Sequence, residues 1–342
     1  MIGALAAAAV ATVAGGAVLA GALSRNRDEV LRTVADDPAL PRMELNGRLF
    51  HVDIHGEEDN PVIVVLHGGP GGDHRSLLAL ADLADTHRVV FWDQRGAGLS
   101  ERVPAEELTA ATALGDLDAI IGRVSPDDPV VLVGHSWGAT LAAGYMRHRP
   151  GRVRAAVLAE PGYLDHQEYL SWKERYDELM SGWAYMRVAI AAGFAAQRIS
   201  GPDEHAAGDY LVGQRILPAF LDHPGNPYHL PGRRYGAPSW RWGRVAGEAL
   251  AGETFDHETL DRVDGEQANG DTPVLFLASE HNTWIGESLQ RRHAEAFPGA
   301  GLAVIGDSGH DMFWDNPGET LAVVRRFLSD GVDGLGSSRL VG

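Results

Sequence analysis

Val130-Val131-Leu132-Val133-Gly134-His135-Ser136-Trp137-Gly138 is a β-branched apolar run that ends in Gly-x-Ser-x-Gly and passes directly into a helix-forming stretch from Ala139. The spacing has a chemical reason. Small residues on both sides of the serine permit a tight strand-to-helix turn that lifts the hydroxyl clear of the backbone. The helix that follows starts beneath it and presents backbone amides to negative charge. Ser136 is therefore the candidate nucleophile.

Working outward, the chain alternates short apolar runs with amphipathic stretches. Strands are expected at Leu49–Ile54, Val62–Leu66, Val89–Trp92, Val130–Val133, Val153–Ala159, Val274–Ala278 and Leu302–Ile305. Helices are expected at Leu77–Asp85, Glu106–Ile121, Ala139–His148, Glu287–Ala296 and Glu319–Leu328. Strands alternating with helices imply a mostly parallel, doubly wound α/β sheet covered on both faces. From Tyr163 to Gly270 no buried strand is recognisable, and the segment is rich in Trp, Tyr and helix formers. The alternation resumes at Pro273. The expected organisation is thus a core of residues 42–162 and 271–330, with a helical cap (163–270) inserted over the strand carboxyl ends, where ligands bind in open α/β sheets. Residues 24–41 read as a connector and residues 331–342 as a flexible tail.

Two further motifs belong to the same chemistry. His67-Gly68-Gly69-Pro70-Gly71-Gly72 closes the Val62–Leu66 strand. Glycines there let backbone N–H groups approach a developing oxyanion, with Gly69 and Trp137 as the expected donors. The spacing is not Gly-x-Gly-x-x-Gly, so no dinucleotide cofactor is expected. Asp307-Ser308-Gly309-His310 follows the last strand, where a histidine can swing toward Ser136 as general base.

Together with Trp92-Asp93-Gln94-Arg95-Gly96-Ala97-Gly98-Leu99-Ser100, these motifs resemble the proline iminopeptidase family of α/β-hydrolases. The resemblance covers about residues 43–162 and 273–328. It implies the α/β-hydrolase fold, a serine nucleophile, an acyl-enzyme and no cofactor. Asp93 and Arg95 are expected to form a structural ion pair. The family's acid, an aspartate after the seventh strand, aligns with Asn282, which has no carboxylate to stabilise an imidazolium. Two carboxylates could replace it. Glu160 ends the Val153–Ala159 strand, which should lie beside the nucleophile strand, and certain haloalkane dehalogenases place their acid there. Glu280 lies two residues before Asn282. A Ser–His pair without a carboxylate is the third possibility.

Substrate class is less determined. Aminopeptidase activity on a short peptide or small amide is the first expectation. A carboxylesterase or lactonase with an apolar pocket, to which Trp183, Trp240 and Trp242 would contribute, is the second. A binding protein that has lost turnover is the third, motivated by Asn282. The net charge of −18 disfavours nucleic acid as a partner. The absence of cysteine excludes disulfides, cysteine nucleophiles and thiolate metal sites, and no metal-hydrolase spacing occurs. Ile2 to Leu23 carries no charge and is long enough to cross a bilayer as a helix. Arg25, Arg27 and Arg32 follow it, so a membrane-associated protein with a cytoplasmic body is expected. A cleaved signal of a secreted protein and a peripheral or buried helix are the alternatives.

Overall fold

The computed structural model describes residues 30–223, 226–228, 230, 236–252 and 272–333. The apolar segment 1–23, the start of the connector, residues 253–271 of the inserted segment and the tail from residue 334 lie outside the described residues.

Eight strands form one sheet in the order β1-β2-β4-β3-β5-β6-β7-β8. They are β1 (Arg42–Leu45), β2 (Arg48–His55), β3 (Val62–Leu66), β4 (Arg88–Trp92), β5 (Val130–His135), β6 (Val153–Ala159), β7 (Val274–Ser279) and β8 (Gly301–Ile305). β2 runs antiparallel to both β1 and β4, and every other pairing is parallel. The helices are α1 (Ala110–Val124), α2 (Trp137–His148), α3 (His166–Leu179), α4 (Gly182–Ala196), α5 (Ala206–Leu211), α6 (Leu217–Leu221), α7 (Arg244–Gly252), α8 (Glu287–Ala296), α9 (Met312–Asp315) and α10 (Pro317–Asp330).

Strand alternation supplies two cores. Val62, Val64 and Leu66 of β3 join Leu132 of β5 and Leu117 and Ile120 of α1 on one face. Ile63 and Val65 join Val131, Val133, Leu277 and Phe327 on the other. Burial on both faces explains why the central strands are continuous apolar runs.

Three local departures from expectation have simple causes. β1 is an additional strand, paired to β2 through Asn46-Gly47, whose φ values of 50° and 72° are those of a tight hairpin turn. The first α-helix starts at Ala110, because Thr109 caps it and exchanges hydrogen bonds with Thr112. The stretch expected to be helical at Leu77–Asp85 forms a 3-10 helix from His74, capped by Asp73.

Register positions the functional rim. His135, the last residue of β5, pairs with Ala159, the last of β6, and Ala159 pairs with Leu277 of β7. Ser136 N–H donates to Ala159 O (2.8 Å), and Glu160 N–H donates to Leu277 O (3.0 Å). Residues 136 and 160 thus leave adjacent strands at the same level. Between β6 and β7 the described residues form helices α3 to α7 joined by loops, and Tyr228, from one of these loops, reaches the rim at His310.

Candidate active site

Ser136 is held at φ 55°, a conformation that costs free energy in any residue with a Cβ. Its glycine neighbours explain why the turn can be so tight. A Cβ on Gly138 would fall 2.2 Å from Leu66 O, and one on Gly134 would fall 2.5 Å from Gly138 O. The nucleophile turn is therefore pressed against β3. A Cβ on Gly68 would meet the Ser136 Cβ at 2.8 Å, so the glycine loop after β3 lies directly against the serine. Trp137 is the first residue of α2, which puts its backbone amide at the positive end of that helix.

Gln94 ties the loop to the nucleophile turn. Its amide nitrogen donates to His67 O (2.8 Å), its backbone N–H donates to His67 Nε2 (2.9 Å), and its Oε1 accepts from the Trp137 indole (3.0 Å). The two expected oxyanion donors, Gly69 and Trp137, are thus braced through one side chain. Burial holds the His67 imidazole below its usual pKa, in keeping with Nε2 acting as an acceptor. Asp93 and Arg95 do not pair with each other. Asp93 is buried and accepts from His51 Nδ1 and His74 Nδ1, both at 2.8 Å, and from Leu99 N–H. Arg95 instead bonds Asp116 and Glu107. In the loop after β4 the two side chains take different directions, Asp93 into the core and Arg95 toward Asp116 of α1. His51, His74 and Asp93 lie close enough to ligate a metal, but their facing atoms are already hydrogen-bonded to one another.

Glu160 is fully buried, at φ 44°, and four donors converge on its carboxylate. Ser279 donates through N–H (2.7 Å) and Oγ–H (2.6 Å), Asn282 through Nδ2 (2.7 Å) and His310 through Nδ1 (2.7 Å). Asn282, at the position of the family's acid, therefore holds Glu160 rather than His310, and its Oδ1 accepts from Trp284 and Ile285 N–H. Glu280 is exposed and bonds Asp307 N–H (2.9 Å), so it does not reach the histidine. Burial pushes the Glu160 carboxyl up to about 7, against the pull of the Ser279 and Asn282 hydrogen bonds. His310 is lowered by burial, which nearby Asp311 opposes. His135 is lowered to about 4, chiefly by burial, and its Nε2–H donates to His310 O (2.8 Å). Ser136 and His310 share the rim, but no hydrogen bond joins their side chains in this structure. Such contacts are often long before substrate is bound.

The inserted helical segment closes over these groups. Tyr228 stacks on His310 (4.7 Å, 16°) and accepts from its backbone N–H (2.7 Å). Trp284 stacks on the other side of the chain of rings, 4.8 Å from Tyr228, and Trp172 lies 5.8 Å from Trp284. Asp73 latches the segment by accepting from Ser239 Oγ–H, Trp240 N–H and Arg241 N–H. Trp242 packs against the glycine loop, where a Cβ on Gly69 would meet its ring at 3.2 Å. Trp240 packs on His51 and His74, and Trp183 stands exposed on α4, away from this wall. Tyr228 and the donor role of Asn282 carried no local sequence signal, and the motif that contains Gln94 did not show its partners. Each depends on a partner far along the chain.

Comparison with known proteins agrees with the fold. The sequence matches the family profile of the alpha/beta hydrolase fold across residues 61–317. It is 38% identical over 99 residues to a proline iminopeptidase of Heyndrickxia coagulans, covering 29% of this chain and 34% of that protein. It is 39% identical over 112 residues to a proline iminopeptidase of Thermoplasma volcanium, covering 32% and 38%. These matches span only about a third of the relatives' length. Among solved structures, a proline iminopeptidase-related protein of Thermus thermophilus superposes with a TM-score of 0.59 at 20% identity, covering 86% of this chain and 99% of that one. The enol-lactonase of Burkholderia xenovorans gives 0.57 at 19% identity, covering 85% and 100%. The chain therefore belongs to the α/β-hydrolase fold family and is similar, within it, to proline iminopeptidases.

Proposed function

We propose that this chain is a serine hydrolase that transfers an acyl group from substrate to Ser136 and then to water. The observation that carries the reading is the 2.7 Å hydrogen bond from His310 Nδ1 to the buried Glu160 carboxylate, one strand from a serine in a strained strand-to-helix turn. Glu160 fixes the tautomer in which Nε2 carries a lone pair. That nitrogen takes the Ser136 proton as Oγ attacks the carbonyl carbon. The Gly69 and Trp137 amides receive the negative oxygen. His310 then gives the proton to the leaving group, and a water deprotonated by the same nitrogen releases the acid. A carboxylate at position 160 also removes the reason for reading the chain as an inactive binding protein.

The scissile bond has two readings. Similarity to proline iminopeptidases favours an amide with a free amino terminus. A specific observation favours an ester or lactone. An aminopeptidase needs an acid to hold the substrate's amine, and among the described residues of the helical segment the buried Asp209 is already bonded to Arg102, Arg241 and the Arg244 N–H. Glu168 is bonded to His293 and the Leu164 N–H. The rings beside His310 are aromatic and suit an uncharged acyl group.

Fluorophosphonate labelling followed by peptide mapping tests the mechanism. A single adduct on Ser136 is expected, and an adduct on another residue or none rejects it. Aminoacyl amides and acyl esters offered in parallel separate the two readings by whether amine or alcohol is released faster.

A further inference from the structure

The exposed face of α4 does not look like the outside of a water-soluble helix. Trp183 is 74% exposed, Met186 and Ile190 each 51%, and Phe194 64%. At spacings of three and four residues they form one stripe along a helix of about 22 Å. Ala184 and Ala191 are exposed beside them, and Arg187 is the only charged side chain from Gly182 to Ala196. Scattered apolar residues on a surface need no explanation, but a contiguous aromatic and aliphatic stripe marks a docking face.

The sequence upstream of Val30 bears on what covers the stripe. Val30 packs against the cluster of Ala196, Ile199, Ala206 and Tyr210, at the carboxyl end of α4. Seven residues upstream of Val30 ends the uncharged stretch Ile2–Leu23, which as a helix has the length of a bilayer's hydrocarbon core. Even fully extended, residues 23–30 reach only about 25 Å. A chain whose first segment enters a bilayer must hold the end of α4 within that distance of the lipid.

We propose that α4 is a membrane-docking face, and that its Trp183–Phe194 stripe lies in the interface of a bilayer, the surroundings to which the uncharged sequence 2–23 is matched by length and composition. With one positive charge in the face and a net charge of −18 on the chain, the matching surface is a zwitterionic lipid rather than an anionic one. The inference does not depend on which bond Ser136 cleaves, nor on Ser136 being the nucleophile.

The chain contains no cysteine, so Ile190→Cys in the full chain takes an environment-sensitive fluorophore at one place only. The labelled protein is added to phosphatidylcholine vesicles, with Glu57→Cys, on an exposed loop of the sheet domain, as the control. The expected result is a blue shift and rise in emission at position 190 on vesicle binding, with quenching by lipids brominated along the acyl chain. The control should stay aqueous. Emission at 190 that remains aqueous while the chain co-sediments with vesicles would mean that the N-terminal segment binds alone, and it overturns the proposal. Emission already blue-shifted without lipid overturns it too. In that case light scattering distinguishes a second copy from the chain's own N-terminal segment as the cover. Failure to co-sediment with phosphatidylcholine vesicles overturns it as well.

Discussion

Glu160 on the sheet rim and Asp209 in the inserted helical segment are both buried carboxylates, yet they are held in opposite ways. Asp209 meets two guanidinium groups, Arg102 at 3.0 Å and Arg241 at 2.8 Å. Glu160 meets a serine, an asparagine and an imidazole, with no permanent cation among them. A carboxylate clamped by two arginines serves as a staple. One held by neutral donors in a dry site sits near the pH at which a proton can move. Burial accordingly pushes Glu160 to about 7. On the proposed mechanism the rim shifts charge during the reaction, whereas the helical segment is fastened by ion pairs.

The largest effect that sharpens this contrast is on rate. Ser136→Ala should lower turnover by on the order of 10⁴-fold or more while leaving the fold intact, since it removes one oxygen from a site bounded by backbone. Unchanged circular dichroism with residual activity near that of wild type would deny the rim its chemistry.

Breaking the staple should do the reverse. Asp209→Asn leaves Arg102 and Arg241 facing a neutral amide, and the loss of a buried ion-pair partner costs about 3 kcal/mol. The denaturant midpoint should fall, while Ser136 in the protein that remains folded keeps its reactivity toward fluorophosphonate. An unchanged midpoint would mean that the Asp209 staple is not structural.

Two helical glycines give a smaller test with opposite signs. Gly138→Ala drives a Cβ to 2.2 Å from Leu66 O and should destabilise by about 1–3 kcal/mol, as overpacked sites do. Gly193→Ala, in α4, meets nothing within 4 Å and should stabilise by roughly 0.5–1 kcal/mol through helix propensity. Thermal melts of the pair should therefore move in opposite directions. Parallel shifts would contradict the packing described at both positions.

How much was legible in the sequence follows the same division. Ser136, the glycine loop and His310 could be read because each hangs on the end of an apolar strand, and strand, turn and helix are local signals. Glu160 could be read for the same reason once Asn282 had displaced the expected acid. β1 was missed although Asn46-Gly47 signals a hairpin, because the strand is only four residues long and two of them are exposed. The pairing of Asp93 with Arg95 was misjudged because both lie in the loop after β4, where the partners are set by distant residues: His51 and His74 for Asp93, Asp116 and Glu107 for Arg95. Tyr228 over His310, the Asp73 latch and the stripe on α4 could not be read. They arise from how separate helices settle on the sheet, and no short pattern encodes that.

The central claim is that Glu160, and not a group after β7, orients His310. Glu160→Gln tests it most directly, with the pH dependence of kcat/KM as the readout. In the wild type, activity should rise as the pair loses its extra proton near pH 7, because Glu160 must be ionised and His310 neutral for Nε2 to accept. The amide cannot stabilise imidazolium, so Glu160→Gln should lower kcat by roughly 10²–10⁴ with little change in KM. It should also move the acid limb to lower pH, since His310, already lowered by burial, loses its anionic partner. Glu280→Gln, at an exposed carboxylate bonded to Asp307, should leave both unchanged. A Glu160→Gln enzyme that keeps the wild-type rate and the wild-type acid limb would contradict the account.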